Sequence, residues 1–168
     1  MDKADIPFLS TTELSRLIER KEVSPVEATE AYLERIDDLD FKFNAYLTVC
    51  RNQAIQDARE AERTISQGNY LGPMHGIPVA VKDQCHVKGW RTTCGSRILK
   101  DYVAEHDSTV IVKLREAGTV LLGKLNLTEF ASGETFDYPH GTPRNPWDLT
   151  RSPGASSAGS GAATAAFL

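Results

Sequence analysis

The residues best suited to chemistry are one lysine and a pair of serines. Lys82 directly follows the apolar run Ile77-Pro78-Val79-Ala80-Val81, which has the composition of a short strand. A lysine there lies near the end of a sheet, partly out of water. Burial disfavours the ammonium and lowers a lysine pKa from about 10.4 toward neutrality. A neutral amine can then serve as a general base. The competing reading is a surface patch or a structural ion pair involving Lys82 and Asp83. Ser156-Ser157 stands between glycines, ahead of an Ala-rich stretch. That setting suits exposed hydroxyls and backbone amides aimed at an anion, and equally a flexible Gly/Ser linker. Arg144 and Arg151 could hold a carboxylate or could be solvated loop cations.

Other chemistries are excluded on spacing. Gly154-Ala155-Ser156-Ser157-Ala158-Gly159 has the glycines of a phosphate loop, but Ser160-Gly161 follows instead of Lys and Ser/Thr. Gly159-Ser160-Gly161 opens like a dinucleotide fingerprint, but Thr164 stands where its last glycine belongs. Ala158 rules out a GxSxG nucleophile elbow. His75, His86, His106 and His140 lack the HExxH spacing of a zinc hydrolase. A Ser-His-Asp triad stays open, since its members need not be close in sequence.

The 168 residues suit one ordinary domain, and 40% hydrophobic with 25% charged residues allow a real core. A net charge of −4 argues against direct binding to nucleic acid. Cys50, Cys85 and Cys94 form no CxxC pair, which reads as reduced thiols in the cytoplasm. Met1-Asp2-Lys3-Ala4-Asp5 shows no secretory pattern, and no apolar run is long enough to cross a membrane.

Two segments are expected to position the lysine and serines. Residues 1–70 carry nine basic and fourteen acidic side chains and read as helical throughout. Ser10-Thr11-Thr12-Glu13 and Ser24-Pro25-Val26-Glu27 are capping boxes, each followed by an apolar stripe. Ala54, Ile55, Ala58, Ala61 and Ile65 give a third stripe, which Gly68 can end. These faces pack on the rest of the chain or, in part, on a second copy. From Leu71-Gly72-Pro73 the pattern changes. Ile77–Val81 is a strand, Asp107-Ser108 can cap a helix through Val110, Ile111 and Leu114, and Thr119–Gly123 is a buried strand. Strand, helix, strand implies a parallel α/β layer with a right-handed crossover. From Ser132 to Ser160, loop-forming residues dominate, and a loop of that length is usually functional. The uncapped run Ala162–Leu168 reads as the start of a helix and as the mark of a fragment.

The motifs in combination resemble the amidase signature family. Gly72-Pro73-Met74-His75-Gly76-Ile77-Pro78-Val79-Ala80-Val81-Lys82-Asp83 is similar to its opening motif. Arg91–Ser96, Leu114–Gly118 and Gly123-Lys124-Leu125-Asn126 follow in the family's order. Asn145-Pro146-Trp147-Asp148 then leads into Ser152-Pro153-Gly154-Ala155-Ser156-Ser157-Ala158-Gly159, which looks like its Gly/Ser-rich signature. One departure is Ala155, where the family has a second glycine; the turn would change if that position needs φ > 0.

The resemblance implies an α/β/α fold with a mixed sheet, preceded by N-terminal helices. Residues 1–70 would be the helical segment and 71–168 the first part of the α/β core. It implies a Ser–cis-Ser–Lys mechanism for hydrolysing amide C–N bonds, with no metal or cofactor. By motif position Lys82 is the base, Ser156 the cis-serine that shuttles the proton, and Ser157 its supporting neighbour. Ala131 and Ser132 resemble the stretch whose backbone meets substrate. The acylated serine and the oxyanion hole would lie beyond Leu168, so this chain alone is expected to be inactive. Three functions compete. The first is part of an amidase acting on small amides. The second is part of a glutamine-hydrolysing amidotransferase A subunit, with partner subunits that contact the tRNA. The third is a truncated product without enzymatic function. The run Thr142–Trp147 suits both enzymes. Ser132-Gly133-Glu134-Thr135-Phe136-Asp137-Tyr138 favours the first, being unlike the Met-Gly-Ser stretch common in the second.

Overall fold

Two reciprocal caps start the first long helices. The Ser10 hydroxyl accepts from Glu13 N at 3.2 Å and the Glu13 carboxylate from Ser10 N at 2.9 Å, opening α1 (Thr11–Glu19). Ser24 and Glu27 repeat the exchange at 3.0 and 2.8 Å ahead of α2 (Pro25–Phe43), with Pro25 in its first turn. The structure, a computed structural model, describes residues 1–132 and 138–168. After α2, Asn44 turns left-handed (φ +50°), and Asp40 accepts from Ala45 N and Tyr46 N. The chain then enters β1 (Tyr46–Val49).

This strand corrects the all-helical reading of residues 1–70. Tyr46-Leu47-Thr48-Val49 is aromatic and β-branched, but too short to show a period of its own between two helices. α3 (Arg51–Ser66) follows, and Gly68 (φ +87°) turns the chain just past its end. The apolar stripes of all three helices are covered within the chain. Leu14, Ile18, Ala28, Ala31 and Ile65 pack with Ile77, while Leu33, Ile36, Ala54 and Ala58 pack on the sheet.

β2 (Pro78–Lys82), α4 (Thr109–Glu116) and β3 (Val120–Leu125) form the expected crossover, with β2 and β3 parallel. β1 lies antiparallel on the other side of β3, so the sheet is mixed, in the order β1-β3-β2. Every residue of the central β3 is buried. Ser108 occupies the N-cap of α4, but its hydroxyl makes no capping bond. Asp107 instead accepts from Lys88 N at 2.6 Å and pairs with Arg115 at 3.1 Å.

The Ala-rich run is the body of a helix, not its beginning: α5 (Ala158–Ala166) starts two residues before the expected end of the long loop. Phe167 closes it in the left-handed region (φ +57°), Leu168 N donates to Ala163 O, and Arg35 donates to Ala166 O. Its small residues have a physical reason. Ala158, Ala162, Ala163 and Ala166 are buried, and a Cβ on Gly159 would run into Ala45 O and Asn126 N. Larger residues would not let this helix lie so close to the backbone beside β1 and β3.

The end of the sheet beside Lys82 carries a buried ion pair. Lys124 Nζ stands 3.0 Å from Asp83 Oδ1, with side-chain exposures of 0% and 1%. Lys124 also donates to Thr92 Oγ1 at 2.9 Å, and Asp83 Oδ2 accepts from Thr93 N at 2.7 Å and Thr93 Oγ1 at 2.6 Å. Removing one partner strands a charge out of water, at a cost of about 3–5 kcal/mol. Lys124→Met is therefore expected to lose that much in urea unfolding; a loss below about 1 kcal/mol would contradict this.

Ahead of β2, buried His75 accepts from Leu71 N through Nδ1 at 3.1 Å. Burial pushes its imidazole below the ordinary value. The unfolded chain then binds the proton more readily than the folded one. Stability is full above about pH 6.5 and falls as pH drops through the lowered folded value. Unfolding of the chain and of His75→Gln at pH 8 and pH 5 checks this. The variant is expected to lose less stability on acidification; equal losses would contradict the assignment.

Candidate active site

The parallel pairing of β2 with β3 ends at Lys82 opposite Leu125, so Lys82 is the last residue of its strand. Its side chain is half-buried and its Nζ donates to Ser156 Oγ at 2.7 Å. Burial lowers the amine's pKa below the usual lysine value, while the neighbouring Cys85 thiol acts weakly in the other direction. When the amine is neutral, the same contact can run in reverse, with the Ser156 hydroxyl donating to the nitrogen lone pair. The arrangement can therefore pass a proton between Ser156 and Lys82.

Ser156 is held from the backbone. The Ala155–Ser156 peptide bond is cis, and Thr128 N donates to Ser156 O at 3.1 Å. The Ala155 departure leaves this turn intact. Gly154 takes the left-handed conformation (φ +97°), whereas Ala155 is not among the positive-φ residues. Ser157 is exposed at the N-cap of α5, and its side chain makes no capping bond. Ala131 and Ser132 close the turn that begins at Thr128. Phe130 and Ala131 are left-handed (φ +49° and +55°), Ala131 N donates to Thr128 O, and Ser132 N donates to Glu129 O. Their amides are thus already used, which leaves carbonyls to meet a ligand. Residues 133–137 of the Ser132–Tyr138 stretch, which favours the small-amide enzyme, lie outside the described residues.

Arg144 and Arg151 serve their own loop: Arg144 donates to Leu149 O and Arg151 pairs with Asp148, both at the surface. Among the described residues, no three His, Cys, Asp or Glu side chains group as metal ligands. The three cysteines are free and half-buried, and no helix among the described residues is long and apolar enough to cross a membrane. Sequence reasoning missed the partner of Asp83. An ion pair does form beside Lys82, but it joins Asp83 to Lys124. The available signal was a lysine inside an otherwise apolar strand, since buried charges need partners.

The chain is 47% identical to the A subunit of the glutamyl-tRNA(Gln) amidotransferase of Moorella thermoacetica over 163 residues, covering 96% of this chain and 34% of the relative. It is 49% identical to the corresponding protein of a Geobacter species, covering 94% of this chain and 33% of the relative. Among solved structures, the peptide amidase of Stenotrophomonas maltophilia superposes with a TM-score of 0.86 at 32% identity, over 92% of this chain and 33% of that one. The chain thus spans about a third of the length of the relatives it matches. The family model described as Amidase matches residues 27–168, from the cap of α2 through the Lys82–Ser156 contact to the end of α5, and the chain belongs to the amidase family.

Proposed function

We propose that the chain supplies the proton-handling half of an amide-hydrolysing site. The observation that carries this is the 2.7 Å contact between Lys82 Nζ and Ser156 Oγ at the half-buried end of β2. In the proposed sequence, neutral Lys82 takes the Ser156 proton as Ser156 takes one from a nucleophilic serine. That serine's oxygen attacks the amide carbonyl carbon. The proton returns through Ser156 to the amide nitrogen, the C–N bond breaks, and ammonia or an amine leaves. Water then cleaves the acyl ester and regenerates the serine. The nucleophile and the donors that stabilise the oxyanion come from sequence outside these 168 residues, so the chain alone is inactive. Ser157 supports Ser156, and the carbonyls of Ala131 and Ser132 contact the substrate.

Two substrate readings remain: a small amide, or the side-chain amide of glutamine. The identities of 47% and 49% to amidotransferase subunits favour glutamine, with partner subunits and ammonia passed onward. They reverse the preference drawn from the Ser132–Tyr138 stretch. In either case the site works in the cytoplasm.

The test joins residues 1–168 to the remaining two thirds of the Moorella thermoacetica relative. Serine-directed fluorophosphonate is expected to label the joined protein but not the 168-residue chain. Labelling is expected to rise with pH through the lowered Lys82 value, because only the neutral amine takes a proton. Lys82→Ala should slow labelling by at least about 100-fold, and Lys88→Ala should leave it unchanged. Labelling of the chain alone, or equal effects of the two substitutions, would overturn the reading. Ammonia release from glutamine against that from small amides separates the two substrate classes.

A further inference from the structure

A deeply buried polar cluster lies one residue beyond Lys82, and the proposed chemistry makes no use of it. A buried charge pair is a poor way to gain stability, because well-packed apolar side chains do as well or better. What such a pair can provide is a fixed direction for its hydrogen bonds. Here those bonds lead from Lys82 back to Ser156.

The path is continuous. Asp83 Oδ2 holds Thr93 N and Oγ1, and Asp83 O accepts from Cys94 N at 3.4 Å. Thr93 Oγ1 in turn accepts from Gly95 N at 3.0 Å. The turn Thr92–Ser96 then grips the turn Thr128–Ala131: Phe130 N donates to Cys94 O at 2.8 Å, and Ser96 Oγ donates to Glu129 Oε1 at 2.6 Å. The two turns touch along their backbones, since a Cβ on Gly95 would stand 2.8 Å from Leu127 O. Thr128 N closes the path on Ser156 O at 3.1 Å. Lys124 completes it from β3, fixing Asp83 from one side and Thr92 from the other.

We infer that Asp83 and Thr93 are positioning residues that hold Ser156 against Lys82 through these two turns. The inference rests on the proposed roles of Lys82 and Ser156. The titratable group that acts on Lys82 is Cys85, around which stand Asp83, Lys124 and Cys94. Thr93→Val removes a hydroxyl and leaves all of these charges in place. A changed titration of Lys82 in that variant therefore reports its geometry and hydration.

The experiment is the pH dependence of Lys82 acetylation by acetic anhydride in the 168-residue chain. It is read by peptide mass spectrometry, with exposed Lys88 as the internal reference and melting temperature in parallel. In the unsubstituted chain Lys82 is expected to titrate below Lys88. In Thr93→Val the Lys82 midpoint is expected to rise by about half a pH unit or more as water reaches the amine. Thr93→Ser should restore it. Thr119→Val, which removes a hydroxyl bonded to Leu114 O outside the path, should lower the melting temperature without moving the midpoint. If Thr93→Val does not fold, Ser96→Ala carries the same expectation at the next link. An unmoved midpoint in the path variant, or an equal shift in Thr119→Val, overturns the positioning role and leaves the proposed function standing. A Lys82 that titrates with Lys88 in the unsubstituted chain overturns both.

Discussion

A charge pair with almost no contact with water, Asp83 with Lys124, fixes the end of the sheet where Lys82 emerges. Such a pair tolerates little displacement, because each ion was taken from water and each remaining lone pair and proton must find a partner. Thr93 provides two of them to Asp83 Oδ2 and Thr92 one to Lys124, all from one turn. The requirement to satisfy two buried ions therefore dictates where residues 92–96 lie, and they in turn set the Thr128 turn against Ser156. Lys82 stays half-buried at the margin of this cluster, where burial lowers its pKa below the usual lysine value.

The second constraint is steric. Ser156 reaches Lys82 across 74 residues of chain, and the approach depends on α5 lying nearly in backbone contact with the strands. Gly159 and the buried alanines make that possible, and Gly159 N donates to Asn126 O where the helix meets the chain leaving β3. Asn126 ties the same point to Asn44 O and Gly141 O. Helix, sheet and loop thus converge on the site through small side chains and backbone bonds. Its precision does not depend on large apolar groups.

Much of this was legible in the sequence, and the limits have physical reasons. Capping boxes are local, so the starts of α1 and α2 could be read directly, as could the β2-α4-β3 crossover from its change of period. The family resemblance placed Lys82 and Ser156 in one site, which their separation in sequence could not. β1 was missed because four residues between helices carry no period, and only pairing with β3 makes them a strand. Asp107-Ser108 marked the start of α4, with Ser108 at its N-cap, but not that Asp107 bonds Arg115 and Lys88 N instead, groups that local spacing does not bring into view. The Asp83–Lys124 pair is likewise a long-range fact. A lysine in an apolar strand announces that it needs a partner, but not which carboxylate provides it.

This chain's own fold brings Lys82 within hydrogen-bonding distance of Ser156, with its pKa lowered by burial. The most direct measurement is an NMR titration of the Lys82 side-chain nitrogen in ¹⁵N-lysine-labelled chain, assigned through Lys82→Arg. The expected result is a midpoint clearly below that of Lys88, with a chemical shift that changes in Ser156→Ala. A midpoint at the ordinary lysine value of about 10.4, insensitive to Ser156, would contradict the account.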